Sequence, residues 1–155
     1  MENNNPTYAG FWLRFAALLI DGILTSILNA IIMSPLLGQT MSLAMRTETD
    51  GLTEYDIISW MTTFVFSNLS MIVLSWLYFA LMESSNFKGS LGKRLVGLQV
   101  TTMDGQRIGF GRATGRYFGK ILSAFILMIG YIMAGFTEKK QALHDILAGT
   151  LVVKR

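Results

Sequence analysis

The chain has 155 residues, of which 52% are hydrophobic and 15% are charged. An average soluble domain has about 25% charged residues, so charge is scarce here. The high apolar content excludes disordered and collagen-like chains. The sequence has no cysteine, which excludes disulfides and thiolate metal sites, and its formal net charge is +3. The length predicts one domain, over residues 1–155.

Two long apolar runs predict membrane-spanning helices. Residues 15–37 contain a single charge, that of Asp21, and residues 57–82 contain none. A bilayer core of about 30 Å is crossed by about 20 helical residues. The sequence therefore predicts an all-α integral membrane protein with spans at about residues 10–37 and 57–82.

The ends of the first run have their own signals. Residues 1–5 hold no positive charge and the run after them is long, so we expect an uncleaved span and not a signal peptide. Pro35 and Gly38 predict the end of this helix.

Lysines and arginines predict the orientation. Residues 38–56 contain one of them and residues 83–112 contain five. The positive-inside rule then places the second loop and the N-terminus in the cytoplasm. We expect a multi-pass protein of the cell membrane.

The third apolar run is shorter. Residues 121–136 are 16 uncharged residues, which reach only about 24 Å as a helix. They span the bilayer only as a longer segment, at about residues 113–136. The basic residues of the segment 137–155 favour a cytoplasmic tail and hence a re-entrant hairpin or an in-plane helix. Three complete spans with an outside tail is the alternative.

Strand patterns occur in the predicted cytoplasmic segments, residues 83–112 and 137–155. Residues 96–101 are strand-like, Asp104-Gly105 is a hairpin turn signal, and residues 106–110 form the return strand. Residues 149–155 also have a strand pattern. We expect a small cytoplasmic β-hairpin or a three-stranded ribbon.

Asp21 is the deepest predicted charge. An ionised carboxylate near the membrane midplane costs about 3 kcal/mol or more, so Asp21 needs a partner. Arg14 is too far along the same helix. The candidates are basic residues of later segments, namely Lys93, Arg112, Arg116 and Lys120. An ion or proton pathway and a structural ion pair or hydrogen bond that holds helices together are equally compatible with this pattern.

Hydroxyls on the second span allow two interpretations. Thr63, Ser67 and Ser70 share one helix face. They line a polar path, or they bond to their own backbone or to a neighbouring helix.

Small residues recur every four positions in the third segment, at Gly111, Gly115, Gly119 and Ser123. This face predicts close helix packing. An adjacent ridge carries Arg112, Arg116 and Lys120. The ridge either contacts anionic lipid or solute, or simply extends its charges to water.

Catalytic patterns are missing from the sequence. It has no Gly-x-Ser-x-Gly motif and no histidine-rich metal motif, and a single histidine, His144, does not make a metal site. His144 with Asp145 is either a local cap or a proton relay. We expect no enzymatic activity, no cofactor, no metal and no nucleic-acid partner.

Three segments resemble the RDD family of small membrane proteins. They are GFWLR at residues 10–14 with Asp21 after it, SLGKRLVGLQV at residues 90–100 with the Asp-Gly turn after it, and LHDILAGTLVV at residues 143–153. By this resemblance the chain is a single RDD-type membrane domain with about three transmembrane helices. The arginine and two aspartates that name the family then correspond to Arg14, Asp21 and Asp145. Some members are associated with sodium or proton antiport, and others with membrane stress or with larger assemblies.

Two functions follow as hypotheses. In the first, an oligomer in membrane lipid moves a small cation or proton, by antiport or by another transport mode, through a polar site at Asp21, with Arg14 and Asp145 as a gate or counter-charge. In the second, the chain is a non-transporting scaffold or accessory subunit that docks a partner through its cytoplasmic face, and the three charges form a structural network.

Overall fold

The computed structural model describes residues 7–50, 53–126 and 129–155. They are mostly helical, as predicted, and they contain two strands. The helices are α1 (Phe11–Asp50), α2 (Glu54–Ser84), α3 (Leu91–Leu95), α4 (Phe110–Phe125), α5 (Ile129–Ile132), a short 3-10 helix (Met133–Gly135) and α6 (Leu143–Ala148); the strands are β1 (Leu98–Thr102) and β2 (Thr150–Lys154).

Within the described chain, α1 and α2 are each long and apolar enough to cross a membrane, over Phe11–Met45 and Glu54–Ser84. Many of their large apolar side chains are exposed, as in Ile31 at 65% and Phe66 at 58%. A soluble protein would cover such continuous surfaces. Both apolar spans predicted from the sequence are therefore present as helices, and membrane association explains their exposed surfaces.

Helix α1 does not end at Pro35 and Gly38, so the predicted helix end is wrong. Proline has no N–H for the carbonyl four residues earlier, which here belongs to Ile31. The hydroxyl of Ser34 donates to that carbonyl at 2.9 Å. A side-chain donor thus replaces the missing backbone donor, and the helix continues to Asp50.

The third apolar segment is bent. Helix α4 and the following segment Ile129–Gly135 differ in direction by 117°. This geometry matches either a broken span or a re-entrant loop, the two alternatives raised by the short third run.

The sheet joins distant parts of the chain. Strands β1 and β2 pair antiparallel, with Val100 opposite Val152. On its other side β2 contacts the segment before α1, where Tyr8 bridges to Val153 and the N–H of Ala9 donates to Val152 at 2.9 Å. The predicted strand near the chain's last residues is confirmed, and it pairs directly with β1.

The predicted return strand at residues 106–110 is wrong. The N–H of Thr102 donates to the carbonyl of Gln106 at 2.8 Å, which closes the turn around Gly105. Beyond it, Ile108 is fully buried in the core and Phe110 already begins α4. Burial of Ile108 and pairing of β1 with β2 replace the hairpin.

The described chain forms two compact units, one from residues 7–23 and 76–155 and one from residues 24–75. The first unit has a small apolar core, formed by Ala9, Ala80, Leu98, Val100, Ile108, Ala113 and Val152. In the second unit, the hydroxyl of Ser70 lies 3.4 Å from the sulfur of Met33. A cavity of about 170 Å³ in this unit is lined in part by Trp60, Thr63 and Ser67.

Candidate functional site

A group of six charged side chains, here called the charge cluster, lies in the first unit. Four are basic and two are acidic, and they come from α1, α2, α3, α4 and α6. Glu83, Arg116 and Asp145 are at most 1% exposed. The members are Arg14, Glu83, Lys93, Arg116, Lys120 and Asp145.

Asp145 joins three helices. Its carboxylate forms ion pairs with Arg14 of α1 and with Arg116 of α4, the latter at 2.5 Å. It also accepts the backbone N–H of Ala142 at 3.2 Å, which caps the start of α6. Arg14 in turn donates to the carbonyl of Ala9 at 2.9 Å. The sequence-predicted charge network of Arg14 and Asp145 is therefore an ion pair supported by Arg116.

Glu83 is the second acidic centre, and the sequence interpretation missed it. Its carboxylate contacts Lys93, Nη1 of Arg116 at 3.0 Å and Nζ of Lys120 at 3.4 Å. Glu83 follows the uncharged run 57–82 directly. The sequence did contain a signal for Glu83. A carboxylate directly after a predicted span lies on the same helix, at the membrane boundary, and therefore needs a partner.

Asp21 lies apart from these ion pairs and is 1% exposed. Its carboxylate accepts the hydroxyl of Tyr78 at 2.8 Å, the hydroxyl of Ser90 at 2.5 Å and the N–H of Gly92 at 2.7 Å. Tyr78 and Ser90 were not singled out from the sequence. These three donors link the first third of α1 to α2 and to the start of α3.

The basic residues predicted as partners of Asp21 have other positions. Lys93, Arg116 and Lys120 form ion pairs with Glu83, and Arg112 is exposed. Among the ion pairs of the described residues, Glu83 is the carboxylate that these three basic residues share, and Arg116 also pairs with Asp145. Arg116 does not extend to water, since it is buried between Glu83 and Asp145.

Two of the four small residues of the α4 face, Gly119 and Ser123, are closely packed in the described chain. A Cβ on Gly119 would lie 3.0 Å from the Cβ of His144, and Ser123 lies against Gly130. Gly111 and Gly115 have no atom within 4 Å of a Cβ placed there. Within the described chain, close packing therefore involves Gly119 and Ser123, the two later members of the face, which lie against α6 and α5.

The hydroxyls of the second unit bond to their own helix. Ser67 donates to the carbonyl of Phe64 and Ser70 to that of Ser67, each at 2.9 Å. Thr63 and Ser67 line the small cavity of that unit. The hydroxyls of Ser67 and Ser70 thus donate to carbonyl groups of their own helix, as one of the two interpretations expects.

Burial and neighbouring charges shift the pKa values of two residues of α6, Asp145 and His144. Burial raises the pKa of Asp145, but Arg116, His144 and Arg14 outweigh that effect and hold the pKa well below its usual range. Burial lowers the pKa of His144 to about 3, although Asp145 opposes this. His144 is therefore neutral at pH 7, and its Nε2 at 3.5 Å from Asp145 does not form an ion pair there.

Lys93 differs from the other basic residues. Burial lowers its pKa to about 7, against the opposing effect of Glu83, and the nearby Lys120 and Arg116 lower it further. The ammonium group is therefore only partly protonated at neutral pH.

A cavity of about 260 Å³ adjoins the charge cluster. Arg14, Lys93, Arg116, Lys120 and Asp21 are its charged lining residues. The other lining residues are largely apolar and include Phe11, Phe15, Leu18 and Phe79. Among the described residues, no group of three or more histidines and carboxylates could hold a metal ion.

Comparison with known proteins gives the chain relatives along almost its whole length. It is 42% identical over 146 residues to the uncharacterized protein YxaI of Bacillus subtilis (strain 168). This alignment covers 94% of the present chain and 96% of YxaI. It is 33% identical over 152 residues to the uncharacterized membrane protein YteJ of the same organism, covering 94% and 80%.

No solved structure matches the chain. The RDD family matches residues 8–149, which include Arg14, Asp21 and Asp145. The resemblance seen in the three sequence segments is thereby confirmed, and the chain belongs to the RDD family.

Proposed function

We propose that this protein is an integral membrane protein that acts as a non-transporting scaffold or accessory subunit. The observation that supports this proposal is the way in which its three buried carboxylates are used. Asp21, Glu83 and Asp145 each accept donors from at least two other segments of the chain. Their contacts are those of residues that hold elements together.

The energetics of buried charge support the same function. Removing one partner of a buried ion pair costs about 3–5 kcal/mol, because the remaining charge is left without compensation. A cation that bound Asp21 would compete with Tyr78, Ser90 and Gly92 for its oxygens. Such a carboxylate is better suited to fixing α3 against α1 than to repeated binding and release of an ion.

The partner would dock on the segments outside the long helices, residues 83–109 and 137–155. These segments carry α3, β1, α6 and β2, and their basic residues favour the cytoplasmic side. The charge cluster lies beneath them and fixes their relative positions within the first unit.

Carboxylate substitutions test the structural function. We expect Asp145→Asn and Asp21→Asn to lower the melting temperature of the purified protein in detergent. Asp145→Asn should cost about 3–5 kcal/mol, because Arg14 loses its ion pair and Arg116 keeps only the one with Glu83. Asp104→Asn, at an exposed turn, is the matched control and should change little. Unchanged melting temperatures in both test variants would contradict the proposal.

Cation or proton transport is the second candidate. Its support is the position of Asp21 and Lys93 on one cavity wall, together with a pKa of about 7 for Lys93. Proteoliposomes with a sodium or pH gradient separate the two functions. A scaffold gives no flux above that of empty vesicles, whereas a transporter gives flux in the natural protein that Asp21→Asn abolishes.

A further inference from the structure

The cavity beside the charge cluster has a wall of unbalanced charge. Four basic side chains line it, and Asp21 is the one carboxylate among its described lining residues. Glu83 and Asp145 neutralise part of this charge from behind, through ion pairs to the same basic groups. The four basic groups face three carboxylates, so the excess of positive charge at the cavity is at most one.

Two residues that line the cavity each have a buried side-chain nitrogen without a hydrogen-bond partner among the described residues. These atoms are the Nε of Arg116 and the Nδ1 of His144. Arg116 is 1% exposed and His144 is 5% exposed. A buried polar atom without a partner costs about 1–3 kcal/mol, and both residues line the cavity.

The rest of the cavity selects for an apolar ligand portion. Phe15 and Leu18 of α1 line it and are each 41% exposed, and Ile132, which also lines it, is 45% exposed. These partly exposed apolar side chains offer contacts to an acyl chain.

We propose that this cavity binds the phosphate headgroup of an anionic phospholipid. The phosphate oxygens lie among Arg14, Lys93, Arg116 and Lys120, and the upper part of an acyl chain contacts the phenylalanine and leucine side chains. Arginine and lysine are the side chains that phosphate groups prefer. Binding of a phosphate group by these basic side chains is a property separate from both functions proposed above.

The experiment measures lipid binding by the full-length protein in non-ionic detergent. The probes are dioleoylphosphatidylglycerol, dioleoylphosphatidylcholine and inorganic phosphate. Native mass spectrometry counts retained lipid, and titration against the melting temperature gives the apparent Kd. We expect phosphatidylglycerol to bind, and phosphatidylcholine and inorganic phosphate to bind at least about tenfold more weakly, which corresponds to a loss of about 1.4 kcal/mol.

Two variants change the site in different ways. Lys120→Gln removes one positive charge whose contact with Glu83 is long, at 3.4 Å. Ala124→Trp fills the cavity and leaves all charges in place, since Ala124 lines it. Each should weaken phosphatidylglycerol binding by about tenfold.

Matched controls lie on the same helix outside the cavity. Arg112→Gln removes an exposed charge, and Leu122→Trp adds bulk at a side chain 48% exposed. Both should retain the natural affinity, because exposed charges contribute little. Equal binding of phosphatidylcholine, equal binding of free phosphate, or natural affinity in both test variants would each overturn the proposal.

Discussion

Gly92 meets α1 so closely that a methyl group has no space. A Cβ at this position would lie 2.3 Å from the carbonyl oxygen of Ala17 and 2.8 Å from Cγ of Asp21. We expect Gly92→Ala to destabilise the protein strongly, because α3 must move away and its N–H then loses the carboxylate of Asp21. Thermal unfolding in detergent measures the effect.

The control for this substitution is Gly115→Ala, in open space on α4. Alanine favours a helix interior by about 1 kcal/mol over glycine, so this variant should be as stable as the natural protein or slightly more stable. Equal melting temperatures of the two variants would show that the contact between α1 and α3 is not formed.

His144 predicts an acid-sensitive stability. The pKa of His144 is about 3 in the folded chain, and its ordinary value, which applies to the unfolded chain, is 6.5. Between these two pH values the unfolded chain binds more protons than the folded chain, so stability falls as the pH falls. At pH 5 the loss is roughly 2 kcal/mol. In His144→Asn, the decrease in melting temperature from pH 7 to pH 5 should be clearly smaller.

The surroundings of His144 set the background of this measurement. Arg116, Lys120 and Lys93 oppose its protonation, and Asp145 favours it. The carboxyl of Asp145, with its lowered pKa, begins to reduce stability only below about pH 4, outside the measured window. An identical pH dependence in the natural and His144→Asn proteins would contradict the prediction.

Individual residues differed in how far the sequence could identify them. Asp21 is recognisable because it interrupts an apolar run, and Arg14 and Asp145 through the family resemblance. Glu83 and Tyr78 are not recognisable from the sequence in this way. The partner of Glu83, Arg116, is far along the chain, and Tyr78 looks like an ordinary residue of an apolar span. Side-chain pairing across segments depends on packing, which local patterns do not contain.

Among elements, the contact between α4 and α6 depends on Gly119. A Cβ there would approach the backbone and side chain of His144 at 3.0–3.2 Å. We expect Gly119→Leu to separate the two helices and to lower the melting temperature, whereas Gly115→Leu, one turn earlier and in open space, should be tolerated. Tolerance of leucine at both positions would contradict the packing of α6 on α4.

The elements also show why local signals were only partly sufficient. Asp104-Gly105 does form a turn, as predicted, with Gly105 at a φ of 76°. Yet β1 pairs with β2 and not with the residues after the turn. A turn signal specifies a reversal of the chain, whereas the strand partner is chosen by burial, here of Val100 and Val152. Likewise, Pro35 remains inside α1 because Ser34 supplies a substitute donor.

At the scale of the whole molecule, strand pairing restricts how the chain crosses a membrane. Strand β1 precedes α4, β2 follows α5, and the two are hydrogen-bonded. Paired strands lie on one side of a bilayer, so the bent segment between them returns to the side from which it enters. We expect a re-entrant segment and two complete spans.

Single cysteines in vesicles test this topology, and the chain has no native cysteine to interfere. Cysteines at Asp104 and Lys139, both exposed, should react with a membrane-impermeant maleimide from the same side. A cysteine at Thr53, between α1 and α2, should react from the other side. Labelling of positions 104 and 139 from opposite sides would show a complete third crossing.

Strand β2 also determines when the protein can finish folding. It pairs with β1 and with Tyr8, so it closes contacts with the start of the described chain and with its middle. A ribosome adds about 5–20 residues per second, and the residues between β1 and β2 therefore take several seconds to synthesise. During this interval β1 has a free edge that other strands can bind. The membrane-insertion machinery has to shield that edge until β2 emerges.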